Sequence, residues 1–209
     1  MKSVATRSQW KACCFLLLSM ATFNGWSAPS VATQDDLEVR SVLLRPCEQG
    51  VAGDCVKVDV TLHVDAPIDI VWQVITDYQN AAQFISNLRS SMQKQLGPNK
   101  LQVEQVGRVG WEAVNVDIKT VYHVSLNPID KKIQSTAVAG DLKRVSMFTQ
   151  LQPKANGGTL LEYTLTTDPA RWAPLVIAEE LLIRNARQSF ADLKREILKR
   201  SSAANKPTS

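Results

Sequence analysis

The distribution of apolar and polar positions divides the chain into four stretches. From Val56 to Val64 apolar residues alternate with polar ones: Val56, Val58, Val60, Leu62 and Val64 against Lys57, Asp59, Thr61 and His63. This period of two predicts a half-buried strand. Ala66-Pro67 ends it, and Pro67 suits the first turn of a helix carrying Ile68, Val71, Trp72 and Ile75 on one side. A second short helix is expected over Ala81 to Ile85. Alternation then returns. Arg89–Leu96 and Lys100–Val109 flank the turn Gly97-Pro98-Asn99, and Val114 to Leu126 continues the pattern to Asn127-Pro128. Lys131–Val138, Leu142–Leu151 and Thr159–Thr166 supply three more strands. After Pro174 the period lengthens: Leu175, Ala178, Leu182, Ala186, Phe190, Leu193 and Ile197 form the apolar stripe of one helix. That helix has roughly 25 residues and a length of about 38 Å at 1.5 Å per residue.

The order is therefore a strand, two short helices, an antiparallel meander and one long amphipathic helix: an α+β domain. The terminal helix has to cover the concave face of a curved sheet, because its stripe has nowhere else to be buried. A sheet wrapped round a single helix closes imperfectly, and an apolar cavity between them is expected.

The first 27 residues are of another kind. Lys2, Arg7 and Lys11 precede an apolar stretch from Ala12 to Phe23, followed by small residues at Gly25, Ser27 and Ala28. This is the layout of a secretory signal peptide, with cleavage after Ser27 or after Ala32, and the stretch is short for a membrane span. Residues 28–55 are then an N-terminal arm with Ser41–Leu44 as a short strand, 56–200 the folded domain, and 201–209 a disordered tail. The signal takes with it three charges of the net +4, leaving an almost neutral domain with no electrostatic case for nucleic acid. Export, to the periplasm in a bacterial cell, makes Cys47 and Cys55 a disulfide pair closing a glycine-containing turn. Only His63 and His123 could join them as metal ligands, and neither has the spacing, so no metal is expected. No cofactor is expected either: there is no Walker loop, no Gly-x-Gly-x-x-Gly and no Gly-x-Ser-x-Gly.

Several of these segments carry a resemblance. Ala66-Pro67, Val71-Trp72-Gln73-Val74-Ile75-Thr76-Asp77-Tyr78 and Phe84-Ile85-Ser86-Asn87-Leu88 resemble the opening of the polyketide cyclase/dehydrase and coenzyme-Q-binding START-like family. Gly140-Asp141-Leu142-Lys143-Arg144, Gly157-Gly158-Thr159, Leu161-Glu162-Tyr163 and the Pro169–Pro174 segment resemble its continuation. Ser86 stands where the family usually has proline, and Met147 and Thr149 replace a small residue and an aromatic one. The resemblance implies a helix-grip fold that holds hydrophobic ligands such as lipids, isoprenoid quinones or polyketides. Most relatives of this type bind or transfer; some cyclise or dehydrate polyketide chains.

The expected function is an exported module holding a hydrophobic small molecule or lipid. The alternatives are a cyclase- or dehydratase-like enzyme and an envelope accessory protein acting through a partner. Transient membrane contact fits the first, and the oligomeric state is left open. Phe84 on the small helical unit, Tyr122, Met147 and Tyr163 on strands, Trp172 in the proline-flanked loop, and Leu175 and Leu182 on the long helix are the candidate ligand-binding residues. Trp72 is expected to anchor helix to sheet, and Asp77 to cap or end its helix. No residue is assigned a catalytic role.

Overall fold

The computed structural model describes residues 36–44, 47, 54–111, 114–142, 144–155, 157–168 and 175–205. The expected signal segment lies outside them. No described helix is long and apolar enough to cross a membrane.

Eight strands form one antiparallel sheet. They are β1 (Leu37–Leu44), β2 (Cys55–Val64), β3 (Leu88–Gly97), β4 (Lys100–Trp111), β5 (Val114–Asn127), β6 (Lys132–Gly140), β7 (Ser146–Pro153) and β8 (Thr159–Thr167). Their order is β1-β2-β8-β7-β6-β5-β4-β3, so β3 to β8 run as a meander and β2 returns beside β8. Helix α1 (Ile68–Ile75) and a 3₁₀ turn at Tyr78–Gln83 connect β2 to β3, and α2 (Leu175–Ala204) closes the chain.

Strand β2 buries all the residues its alternation requires, whereas Val116 on β5 and Val138 on β6 are exposed. Val56, Val58, Val60, Leu62 and Val64 are all buried on β2, which pairs with β8 from Val56↔Thr167 to Val64↔Thr159. Helix α2 lies along this face. Leu182, Ala186 and Phe190 pack on Val56, Val58 and Val60. Further along, Ile197 and Leu193 meet Leu62, Leu161, Val71 and Val74. A separate cluster of Leu101, Val103, Val124 and Ile133 fills the β4–β6 side and meets Trp72. Trp72 thus touches both halves of the core, with Lys131 Nζ 5.4 Å from its ring centroid.

Four elements differ from the sequence expectation. Strand β1 begins at Leu37 rather than Ser41 and pairs with β2 along its length, so part of the expected arm is an edge strand. Its alternation of Leu37, Val39 and Leu43 with Glu38 and Arg40 is real but weak, because Ser41 interrupts the apolar series. The expected second helix is the 3₁₀ turn, placed three residues earlier; a single turn has too few bonds to carry an α-helical period. Strand β7 starts at Ser146 rather than Leu142. Asp141 turns back onto β5 instead, donating its N–H to the Lys119 carbonyl at 2.7 Å and accepting the Lys119 N–H at 2.8 Å. Helix α2 runs 30 residues, and its last turn includes buried Ser201, so the tail starts later than residue 201.

Gly140 makes the Asp141 turn feasible. Its φ is +107°, and a Cβ there would stand 2.3 Å from the Lys119 carbonyl oxygen. Gly140→Ala is expected to cost about 1–3 kcal/mol of stability, from left-handed strain and the forced retreat of β5. Urea unfolding of the two proteins measures it; a loss below about 0.5 kcal/mol would show that the turn relaxes freely.

Candidate functional site

The cover of α2 on the sheet is incomplete toward β3 and β4, and two neighbouring cavities lie there. The inner one, of about 170 Å³, is bounded by β4 to β8, the end of α1 and the inward side of α2. The outer one, of about 320 Å³, lies between the Tyr78–Leu88 segment, the far end of β4 and α2. Ile75, Tyr78, Gln105, Phe190 and Leu193 belong to both walls.

The inner chamber is apolar with a few hydroxyls. Val103, Val124, Ile133, Leu161 and Met147 supply carbon surface; Tyr78, Tyr122, Tyr163, Ser135 and Thr149 supply O–H groups. Strand register explains the convergence. Val103 faces Tyr122, Ser135 faces Met147, and Thr149 faces Tyr163, so alternate residues of five strands point at one space. The Tyr163 ring is tilted by 57° against Phe190, a residue of both cavity walls, with centroids 5.0 Å apart.

Burial controls the acidity of these phenols. It pushes Tyr78 up to about 12, against the opposing effect of a bond with Ser135. It also raises Tyr122, opposed by Thr120. Tyr163 is raised as well, by burial and by the proximity of Tyr122 and Tyr78. All three are therefore neutral O–H donors at physiological pH.

The outer cavity has a polar rim tied to α2. Asp192 is 1% exposed and accepts from the Ser86 N–H at 2.8 Å and the Ser86 hydroxyl at 2.5 Å. Gln188 and Arg195 donate to its other oxygen, at 3.1 and 2.8 Å. Asn87 donates to the Asn185 carbonyl at 3.3 Å and accepts from Ser189 at 3.0 Å. Burial alone would raise the Asp192 carboxyl, but the bonds from Ser86, Gln188 and Arg195 prevail and hold it below its usual value. Ser86 is the position at which the sequence resemblance leads to an expected proline. A proline here would lack both the N–H and the hydroxyl that Asp192 receives.

The candidate residues separate accordingly. Phe84 lines the outer cavity, with the Arg200 guanidinium 5.5 Å from its ring centroid. Tyr122, Met147 and Tyr163 line the inner chamber. Leu182 packs on the Val56–Val60 cluster and lines neither of these two cavities. Trp172 and the Leu175 side chain lie outside the described residues. Asp77 makes no side-chain capping bond; it accepts from Asn80 at 2.8 Å and Arg200 at 2.9 Å. Glu162 is exposed and bonded to Gln152, away from both cavities. Cys47 and Cys55 are joined as a disulfide with Cα atoms 5.2 Å apart. Among the described residues no group of His, Cys, Asp and Glu could hold a metal ion.

Sequence reasoning missed Tyr78, read only as the end of a helix, and the rim residues Asn185, Ser189 and Asp192. A signal for the latter existed. They recur at helical spacing beside the apolar stripe, where a solvent-facing side would carry more lysine and glutamate.

Comparison with known proteins agrees with this architecture. The aromatase/cyclase ZhuI from Streptomyces sp. R1128 superposes with a TM-score of 0.64 at 18% identity, covering 72% of this chain and 98% of that one. The STAR-related lipid transfer protein from Xanthomonas axonopodis gives 0.64 at 15% identity, covering 79% and 95%. A START superfamily protein from Mycobacterium smegmatis gives 0.56 at 15%, covering 68% and 97%. No curated protein matches in sequence. Identities this low show the shared fold alone, a curved sheet gripping a C-terminal helix. The profile of one family, described as polyketide cyclase / dehydrase and lipid transport, matches residues 56–197, and the chain belongs to that family.

Proposed function

We propose that the protein binds and carries a hydrophobic small molecule (a lipid, an isoprenoid quinone or a polyketide-like compound) outside the cytoplasm. The observation that carries this reading is the pair of neighbouring, mainly apolar cavities that share Ile75, Phe190 and Leu193 in their walls. Concave, mostly apolar sites with a few placed polar groups are the usual form of small-molecule sites. The signal-like segment at residues 1–27 and the Cys47–Cys55 disulfide support export.

Binding fits the inner chamber better than catalysis does. General acid–base work needs a group that exchanges protons near neutral pH. The chamber presents phenols whose pKa values are raised, and its described wall has no carboxylate or imidazole. Such phenols donate hydrogen bonds and hold a ligand in one orientation.

Purification from the periplasmic fraction of native cells, followed by native mass spectrometry, tests the reading. The expected result is a chain lacking its first 27 or 32 residues, bound to an apolar compound. A protein recovered from the cytosol with its N-terminus intact would overturn export. An empty protein that also refuses the neutral dye N-phenyl-1-naphthylamine would overturn binding.

A further inference from the structure

The two edges of the sheet are built differently. Strand β3, at one edge, has register shifts against β4 near both ends, between Leu88 and Ser90 and between Gln95 and Gly97. The 3₁₀ turn lies against it, and the Gln93 backbone N–H donates to the Gln79 side chain at 3.3 Å. Bulges and a covering segment are common means of keeping a sheet edge from pairing with another chain. Strand β1, at the other edge, has neither. It pairs with β2 over all eight residues without a shift and contains no proline, glycine or lysine. Among the described residues nothing pairs with its outer side. It also lies outside residues 56–197, the span of the family profile.

Strand β1 is held firmly enough to serve as a template. Ser41 donates to Glu179 of α2 at 2.6 Å, Lys194 pairs with Asp36 at 2.9 Å, and Leu37, Val39 and Leu43 pack on the Val56–Val60 cluster. The opposite side of the strand carries Glu38, Arg40 and Val42, all exposed, and Arg40 donates to Glu38 at 2.6 Å. Such an edge offers its N–H and C=O groups to a further strand. Two copies related by a two-fold axis pair antiparallel, and residues directly opposite one another point to the same side. Charge then selects the register. An axis at Glu38 or at Arg40 sets like charges against each other. An axis at Ser41 sets Glu38 and Arg40 against apolar residues, Leu44 and Val42. An axis at Val39 sets Glu38 opposite Arg40 of the second copy, twice by symmetry, with Val39 facing Val39.

We infer that two copies of this chain join through β1, antiparallel and centred on Val39, into one continuous sheet. A single strand pair lies at the small end of specific interfaces, below about 1,200 Å², so the dimer forms in the micromolar range and dissociates on dilution. No β1 residue lines either cavity, and the assignment therefore stands apart from the ligand reading.

Sedimentation equilibrium of the purified protein between about 1 and 500 µM, with amide hydrogen exchange at both ends of that range, tests the pairing. The expected result is a shift from one chain to two, with exchange slowed at β1 as concentration rises. Glu38→Arg and Arg40→Glu are each expected to weaken the dimer about tenfold, because each sets like charges opposite one another twice. Mixed in equal amounts, the two variants are expected to regain a dimer as tight as the wild type, since every facing pair is again of opposite sign. Recovery on mixing is a readout that mere damage to the fold would not give. A single chain at every concentration, a dimer indifferent to both variants, or slowing at β3 or α2 in place of β1 would overturn the assignment. The wild-type concentration series and its exchange pattern decide alone if either variant does not fold.

Discussion

Replacing Asp192 with alanine is expected to lower stability by about 2–4 kcal/mol, an unusually large effect for one polar side chain. The carboxylate is almost fully buried and receives four bonds from Ser86, Gln188 and Arg195. Alanine leaves the Ser86 N–H and hydroxyl facing a void where water has little access. It also removes the Ser86 half of the tie to α2, leaving only the Asn87 bonds to Asn185 and Ser189, so bound dye should escape faster. Asp192→Asn is expected to cost about half as much, because its amide oxygen still accepts from Ser86 while its NH₂ opposes Arg195 and Gln188. The pH dependence has a definite sign. The folded carboxyl is held below its unfolded value of 3.8, so its contribution is complete above that pH and is lost as pH falls through the folded value. Asp36 and Glu196 are also held low and act in the same direction, so Asp192→Asn should flatten the acid limb without abolishing it. Urea unfolding between pH 2 and pH 7 measures all of this. A variant within about 0.5 kcal/mol of wild type would show that the rim holds without its carboxylate.

Leu161→Ala is expected to cost about 3 kcal/mol and to change the ligand preference together with the stability. Leu161 is completely buried, lies opposite Leu62 and Leu151 on neighbouring strands, and forms part of the inner chamber wall. Truncation here enlarges a space that already exists. The β2, β7 and β8 backbones around it are fixed by ladder hydrogen bonds, so the wall has little room to close in. A bulkier apolar ligand should therefore stabilise the variant more than the wild type. Its effect on the unfolding midpoint follows the ratio of ligand concentration to Kd. Thermal unfolding with and without octylnaphthalene separates the terms. A loss below about 1 kcal/mol, with no gain in ligand response, would mean that the chamber collapses onto the missing side chain.

Most of the fold was legible because it is written in two periods. The alternation on β2, β4, β5 and β8 and the wider stripe on α2 each bury one side, and burial of one side leaves a strong trace in composition. Strand β1 was partly lost because Ser41, bonded to Glu179 on α2 at 2.6 Å, breaks its apolar series. Tyr122, Met147 and Tyr163 could be placed on inward strand positions by counting in twos. Tyr78 and Asp192 could not be found this way. One lies in a 3₁₀ turn without a usable period, and the other is a charge on the covered side of a helix, against the rule that such positions are apolar. Leu182 shows the limit of the stripe itself: it says which side of α2 meets the sheet, but not where the sheet leaves a gap beneath it.

The gathering of every tyrosine at one chamber has a spectroscopic consequence. In most proteins tyrosine signals average over many surroundings, and a change at one site is diluted by the rest. Here Tyr78, Tyr122 and Tyr163 are the whole population. The phenol ring resonances of the native protein therefore report on the chamber's occupancy and polarity directly, with no label attached.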